Sequence, residues 1–500
     1  MHRITSLGYT ALGLACIAIP LQAAEWTNTA SVTPGVTYTD NVCLSKDNKN
    51  GQWIGTVTPA GTMKAEGARL KLNVAGSVEV NTLSDNDLDD EGCTGGSFNN
   101  REQFAPQLRG NANAVLMENW VYLDTDAVIS QNQASPYVSG GGDSFDRTGN
   151  TNTTYNYSVS PYIQRQFKDV AELNLRYSWD EQYNTVNLVG DSTEQSAGMT
   201  FGSIPGASKY IWGLQGDYSK VDYSETPITG SSNRDSELQS AQLNLGYQFD
   251  RRWQVNGFFG NEWNDFVSTR DDIDGTFWDV GMRWTPNGRT TIDAGIGDRF
   301  FGNNPRFEIN HSHKRSAFSA GYAKTLTYDR DIRTLPNSPP LNPDFPPAPG
   351  VDPGITDISE SPILDERYTL GYTFQGLRSS FGVSAFQSQQ TQEGANPQTG
   401  FTDSTFRGVS VYGRRSLSGE TSLTALVNWN EQDPKNSSDD NILNRVVDNS
   451  ETWTYTLGLE RQLSKRTTVG LNYEYTDRQS DNAFNTYTEN LITLDLRVDL

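Results

Sequence analysis

Apolar and polar residues alternate along most of this chain. The stretch Phe277 to Gly302, FWDVGMRWTPNGRTTIDAGIGDRFFG, shows the pattern at its clearest. Trp278, Val280, Met282 and Trp284 share one face; Phe277, Asp279, Gly281 and Arg283 share the other. Pro286, Asn287 and Gly288 make a turn. Thr290, Ile292, Ala294 and Ile296 then return on the apolar side, with Thr291, Asp293, Gly295 and Gly297 opposite. A period of two sends successive side chains to opposite faces of a sheet. One face suits lipid and the other water, which predicts a transmembrane β-hairpin.

The same grammar runs from residue 30 to the C-terminus. Ala241, Leu243, Leu245, Tyr247 and Phe249 alternate with polar residues up to the Asp250-Arg251-Arg252 turn, and Trp253, Val255, Gly257 and Phe259 lead back. Trp453, Tyr455, Leu457 and Leu459 run to a Leu463-Ser464-Lys465 turn and are answered by Val469, Leu471, Tyr473 and Tyr475. In the last stretch Ile492, Leu494, Leu496, Val498 and Leu500 face one way and Thr493, Asp495, Arg497 and Asp499 the other. We expect an all-β fold, a large antiparallel transmembrane barrel of about 22 strands, within a range of about 18–22. Connections alternate between short ones with Gly, Pro, Asn and basic residues and long ones with Asp, Asn, Ser and Gly, the barrel convention of short periplasmic turns and long extracellular loops. Trp253, Trp278, Trp284, Trp429, Trp453 and Tyr475 fall at strand ends, where an aromatic girdle belongs. A propeller or solenoid would repeat a fixed motif of roughly 40–50 residues, and none recurs. Residues 334–362 contain PNSPPLNPDFPPAPGVDPG. Proline cannot donate to a ladder, so this segment is read as a Pro-rich surface loop or a plug folded into the lumen.

Residues 1–23 read as a signal peptide: Arg3, an apolar run from Leu7 to Leu21, and Leu21-Gln22-Ala23 as the cleavage site. Cys16 allows a lipoprotein reading, but Gly13 stands where a lipobox usually has Leu. The remaining residues 24–500 form the expected barrel. They carry 38 basic and 61 acidic residues once Arg3 is removed, a net of −23. That surplus argues against nucleic acid as a partner. The mean hydropathy is that of a soluble protein because only every second strand residue would meet lipid.

Two cysteines remain after the signal, Cys43 in NVCLSKDN and Cys93 in DDEGCTGG. Both fall in long loops on the same side of the predicted barrel. An even count in an extracytoplasmic setting predicts a disulfide between them.

The candidate chemistry is sparse. His311 and His313 flank a turn with no carboxylate or cysteine beside them in the sequence, so a solvated turn is favoured over a metal site. There is neither a G-x-S-x-G elbow nor a P-loop; an enzyme is not expected, nor is a cofactor. The acidic stretches SDNDLDDEG and Asp271-Asp272-Ile273-Asp274 lack EF-hand spacing and leave only weak divalent bridging to lipopolysaccharide, or plain solvation. The charges on the polar strand face are more informative. Asp279, Arg283, Asp293, Arg299, Glu460, Glu474, Asp495, Arg497 and Asp499 should point into the lumen, since charge on the lipid face is costly. There they either set the field of a pore or pair as a structural ladder.

The opening block resembles the signature hairpin of outer-membrane proteins associated with PEP-CTERM/exosortase systems. The residues carrying the likeness are Trp278, Trp284, Pro286, Arg289, Thr290, Arg299, Phe301 and Gly302, together with Tyr38-Thr39-Asp40-Asn41 near the N-terminus. The turn differs from the commoner Ser-Pro-Arg-Thr form in having Asn287-Gly288 before Arg289. The C-terminal strand is similar to the assembly signal of Gram-negative outer-membrane proteins, with Leu500 in place of the usual Phe. These resemblances imply a Gram-negative outer membrane, with its lipid, its lipopolysaccharide and the barrel assembly machinery as partners. They also imply an association with exopolysaccharide export components. The function expected on these grounds is a channel or export conduit, with a non-conducting anchor or adhesin as the alternative.

Overall fold

A computed structural model describes residues 24–84, 93, 104–140, 145–186, 190–224, 235–334, 361–394, 403–435 and 449–500. The signal peptide lies outside them. The first half of the wall consists of β1 (Glu25–Thr39), β2 (Gln52–Glu66), β3 (Leu70–Leu83), β4 (Phe104–Met117), β5 (Val121–Gln133), β6 (Thr151–Phe167), β7 (Ala171–Asn184), β8 (Ser192–Ser203), β9 (Tyr210–Tyr223), β10 (Ser236–Gln248) and β11 (Trp253–Asp265). The second half consists of β12 (Gly275–Asn287), β13 (Thr290–Arg299), the short β14 (Gly302–Asn303), β15 (Arg306–His313), β16 (Ser316–Thr327), β17 (Ile363–Gln375), β18 (Ser379–Gln392), β19 (Asp403–Ser416), β20 (Thr421–Pro434), β21 (Ser450–Ser464), β22 (Thr467–Ser480) and β23 (Tyr487–Asp499). A helix α1 (Asp329–Thr334) follows β16.

Every wall pairing is antiparallel between sequence neighbours, and β1 pairs with β23, so the sheet closes. β14 is a two-residue flap on β13, which also pairs with β15; the wall therefore has 22 strands. Closure leaves no sheet edge, as a bilayer requires. Three of the ladder gaps coincide with prolines. Registration skips Pro34 between β1 and β23, Pro59 between β2 and β3, and Pro161 between β6 and β7, where the ring nitrogen has no hydrogen to give.

The two faces separate as alternation predicts. Leu245, Phe259, Val280, Ile296, Leu457 and Leu494 stand on the outer face and are exposed. Charged side chains on that face, such as Glu181, Glu431 and Arg461, stand at strand ends. Trp253 and Trp263 mark the two rims of β11. Ten residues separate them, about 34 Å along a strand and about 25 Å across the membrane after tilt, the height of an apolar band. At the short-turn rim Trp253 stacks on Trp284 with centroids 5.1 Å apart, and Tyr210 packs on Tyr247 at 5.3 Å. At the other rim Tyr157, Trp179 and Tyr183 cluster, as do Trp429, Trp453 and Tyr455. The band is closed by aromatic belts above and below.

Several strands extend beyond their sequence-predicted limits. β1 begins at Glu25, ahead of the alternation that starts at residue 30, and β18 runs on to Gln392, past its last apolar residue Phe386. In both cases polar residues continue the ladder past the lipid band, where backbone pairing no longer needs an apolar face.

Candidate functional site

The lumen carries two features: an ordered set of charges on its inner wall, and two segments folded into its loop-side mouth.

The wall charges centre on Arg306 at the start of β15. Its Nη2 donates to Asp279 Oδ1 at 2.8 Å and its Nε to Asp279 Oδ2 at 3.1 Å, while Nη1 pairs with Asp293. Arg283 Nε also donates to Asp293 Oδ2 at 3.0 Å. Asp279 and Asp293 are buried. Gly281 and Gly295 leave the space that the guanidinium fills; a Cβ at Gly295 would lie 2.8 Å from Arg306 Nη2, and one at Gly281 would collide with it. Arg299 donates to Glu262 Oε2 at 2.6 Å and lies over the rings of Phe277 and Phe301 at 5.5 and 5.2 Å. Gly302 has φ +89°, a conformation open to glycine, and this lets the chain reverse beside Arg299.

The remaining motif residues serve the turn. Pro286 sits in a register shift between Trp284 and Asn287. Asn287 Oδ1 accepts from the Arg289 N–H at 2.9 Å and from Thr290 Oγ1 at 3.2 Å. Trp278 projects outward and is exposed. His311 shares a 2.8 Å hydrogen bond with Thr290 Oγ1, and both histidines lie exposed on the outer face of β15.

The other inner charges are spread along the wall. Glu474 accepts from Thr456 Oγ1 at 3.0 Å. Glu460 lies 3.5 Å from Arg414, Arg497 pairs with Asp499 at 2.9 Å, and Asp495 lies against Gly470. They do not converge on one site. Asp272 and Asp274 act as turn caps, with Asp274 Oδ1 accepting from the Asn264 N–H at 2.6 Å. The SDNDLDDEG loop lies outside the described residues beyond Ser84.

The sequence places a candidate plug in 334–362, but 335–360 lie outside the described residues. Two other segments fold inward. The first is the connection between β5 and β6, described at 134–140 and 145–150. Tyr137 Oη is 2.5 Å from Ser404 Oγ on β19, nearly halfway round the wall. Arg478 Nη2 on β22 donates to Pro136 O at 3.1 Å, and the Arg147 N–H donates to Val42 O at 3.1 Å. Phe145 packs with Val42, Ile54 and Leu83, and Cys43 lies against the same cluster. Asn150, fully buried, holds the segment's shape: its Nδ2 faces Ser135 O at 2.9 Å, Val138 O at 3.0 Å and Gly140 O at 3.2 Å, and its Oδ1 accepts from the Ser135 N–H at 2.9 Å. Gly140, at φ +88°, has no room for a side chain against Thr148 and Asp146. The signal available in the sequence is Tyr137 and Phe145, two aromatics in a connection otherwise fit for solvent.

The second segment is α1. It leaves β16 and reaches the inner faces of β7, β8 and β9, and it packs against β5. Tyr223 Oη donates to Asp329 Oδ1 at 3.0 Å. Arg330, with 3% of its side chain exposed, pairs with Asp180 and lies 3.9 Å from Glu194. Ile332 is 2% exposed. Burial, with Glu194 adding, pushes the Asp331 carboxyl up to about 7 against the opposing pull of Arg330. Some 46% of that side chain stays accessible, so the carboxyl can exchange its proton with water. Burial likewise raises the Tyr328 hydroxyl.

Cys43 and Cys93 are joined, with an S–S distance of 2.00 Å, so the first two long loops are tied together beside the seat of Phe145.

Neither family models nor curated proteins match this chain. Solved structures do. The siderophore receptor PirA from Acinetobacter baumannii matches with a TM-score of 0.50 and 8% identity, over 95% of this chain and 81% of that one. A point mutant of the ferric enterobactin receptor PfeA from Pseudomonas aeruginosa matches with a TM-score of 0.52 and 11% identity, over 96% and 81%. At such identities the likeness is one of fold. Together with the closed wall, the apolar band and its aromatic rims, it makes this chain a β-barrel of the Gram-negative outer membrane.

Proposed function

We propose that this protein is an outer-membrane channel narrowed at its loop-side mouth by two segments of its own chain, and that it has no enzymatic activity. The observation that carries this reading is the inward folding of residues 134–140 and 145–150 and of α1 onto opposite inner walls. A barrel of this width leaves a water-filled lumen that side chains alone do not fill, so what crosses the mouth governs passage. The motif hairpin supports a finer reading, a conduit in an exosortase-linked exopolysaccharide export system, with export components, lipopolysaccharide and the barrel assembly machinery as partners. That reading rests on resemblance alone.

Conductance in a planar bilayer tests the channel. We expect small, discrete conductance steps from the intact protein and larger ones after residues 136–149 are replaced by a short Gly-Ser bridge. If purified, heat-modifiable barrels stay silent in every variant, the protein is an anchor or adhesin and the channel reading fails.

A further inference from the structure

The seat of Arg330 is a row of acids at one level of the inner wall. Asp126 on β5 registers with Ser158 on β6, which registers with Asp180 on β7, which registers with Glu194 on β8. All four side chains lie on the lumen face. Asp180 and Glu194 are direct cross-strand neighbours, and like charges placed so destabilise a sheet unless a cation stands between them. Among the described residues, Arg330 is the cation paired with both. Asn156 and Ser219 add neutral donors, to Asp180 at 3.1 Å and to Glu194 at 2.9 Å. The next position of the row, on β9, is Val221; Asp217 lies four residues away on the same strand, beside an inner-wall cavity of about 400 Å³ that also touches Glu262 and the cations Arg176 and Arg299.

The cation comes from a short helix anchored on β16, far round the wall. Its fit is incomplete: Arg330 Nη1 and Nε make no hydrogen bond among the described residues. A buried guanidinium satisfied on one side only is weakly held, because the cost of removing it from water is not fully offset.

We infer that Arg330 is a tethered latch occupying a cation seat of the transport path: the row Asp126, Asp180 and Glu194 receives cationic solutes, and α1 competes with them for it. This rests on the channel reading above. It names the class of solute, small cations including those with guanidinium or ammonium groups, and the element that obstructs them.

Two measurements test it, one of which does not depend on conduction. Ile332→Cys supplies a reporter on the buried side of α1, with the native disulfide left intact. Labelling of that thiol by an impermeant maleimide should be slow, and about tenfold faster when Arg330→Gln is added, since the latch has then lost its charge. Asp180→Asn with Glu194→Gln should accelerate it similarly. Equal rates in all three proteins overturn the latch. In bilayers under a KCl gradient, Arg330→Gln should conduct more than the parent and shift the reversal potential further toward potassium. The Asp180→Asn/Glu194→Gln pair should also open, but with its preference for potassium reduced. A chloride preference in Arg330→Gln, or an unchanged one after removal of both acids, overturns the cation seat. Faster labelling with silence in every bilayer refutes the channel and, with it, the solute assignment, while leaving α1 a latch. Heat-modifiable migration confirms that each variant retains the barrel.

Discussion

Asn150→Ala should unseat the inward segment without loosening the barrel. The side chain is fully buried and stands at the centre of four contacts, three to carbonyls and one from the Ser135 N–H. An amide NH2 has two hydrogens, so it serves two of those carbonyls well at any moment. Three effective hydrogen bonds at about 0.5–1.5 kcal/mol each, with a buried N–H left unpaired, give a loss of about 3 kcal/mol. That is roughly a 150-fold shift in the balance between seated and unseated segment. The ladders of β5 and β6 involve none of these groups until Gln133 and Thr151, so the wall should be untouched. The assay has two arms: conductance, expected to rise toward that of the 136–149 replacement, and the gel-shift temperature, expected to stay within a few degrees. Unchanged conductance with unchanged protease resistance of 134–150 would refute the argument, because the segment would then be held by something other than Asn150. A collapse of the gel-shift temperature would refute it differently, by showing that the segment supports the wall.

Other outcomes follow from the same structure. Arg306→Gln leaves Asp279 and Asp293 buried with their main partner gone, a loss of about 3–5 kcal/mol, and should lower the gel-shift temperature clearly; an unchanged temperature would mean that water replaces the guanidinium. Reducing Cys43–Cys93 removes a crosslink closing 50 residues, about 4 kcal/mol by loop-closure entropy, and should increase protease cutting in the first two long loops while the barrel persists. The raised carboxyl of Asp331 sits among Asp180, Glu194, Asp329, Arg330, Tyr328 and Tyr223. The seated helix keeps that proton up to about pH 7, whereas a released carboxyl loses it near pH 4, so seating weakens as pH rises from about 4 to about 7 and levels off above. Conductance should therefore increase from about pH 5 to about pH 7 and lose that dependence in Asp331→Asn; a rise on acidification would contradict the direction.

The wall is legible because a bilayer makes every second residue answer to the same rule. Trp278, Val280 and Met282 can be assigned outward, and Asp279 and Arg283 inward, from alternation alone. The mouth is not legible, because it follows no period. Arg330 meets Asp180 only after the chain has travelled round a third of the wall, and no local pattern marks that pairing. Nor does Arg306 stand out: as the first residue of a strand after Asn-Asn-Pro it reads as a solvated turn charge, and its role depends on the room left by Gly281 and Gly295. The Gly-rich composition of 134–150 suggests solvent exposure. The burial of its described residues comes with Tyr137 and Phe145, which find distant partners that only closure supplies.

Closure itself fixes an order of events. β1 matches β2 along its whole length, but meets β23 only from Ser31 to Thr39 and skips Pro34 on the way; the Leu500 N–H adds a last bond to Ala30 O at 2.9 Å. This join is much shorter than the β1–β2 ladder beside it, and it unites the two strands of the ring that lie farthest apart in sequence. Until the final strand arrives, β1 waits with half its backbone unpaired, so a nascent chain of this kind must be chaperoned as an open ribbon. Once shut, the seam still carries the Pro34 gap, a break that the β1–β2 ladder on its other side does not have.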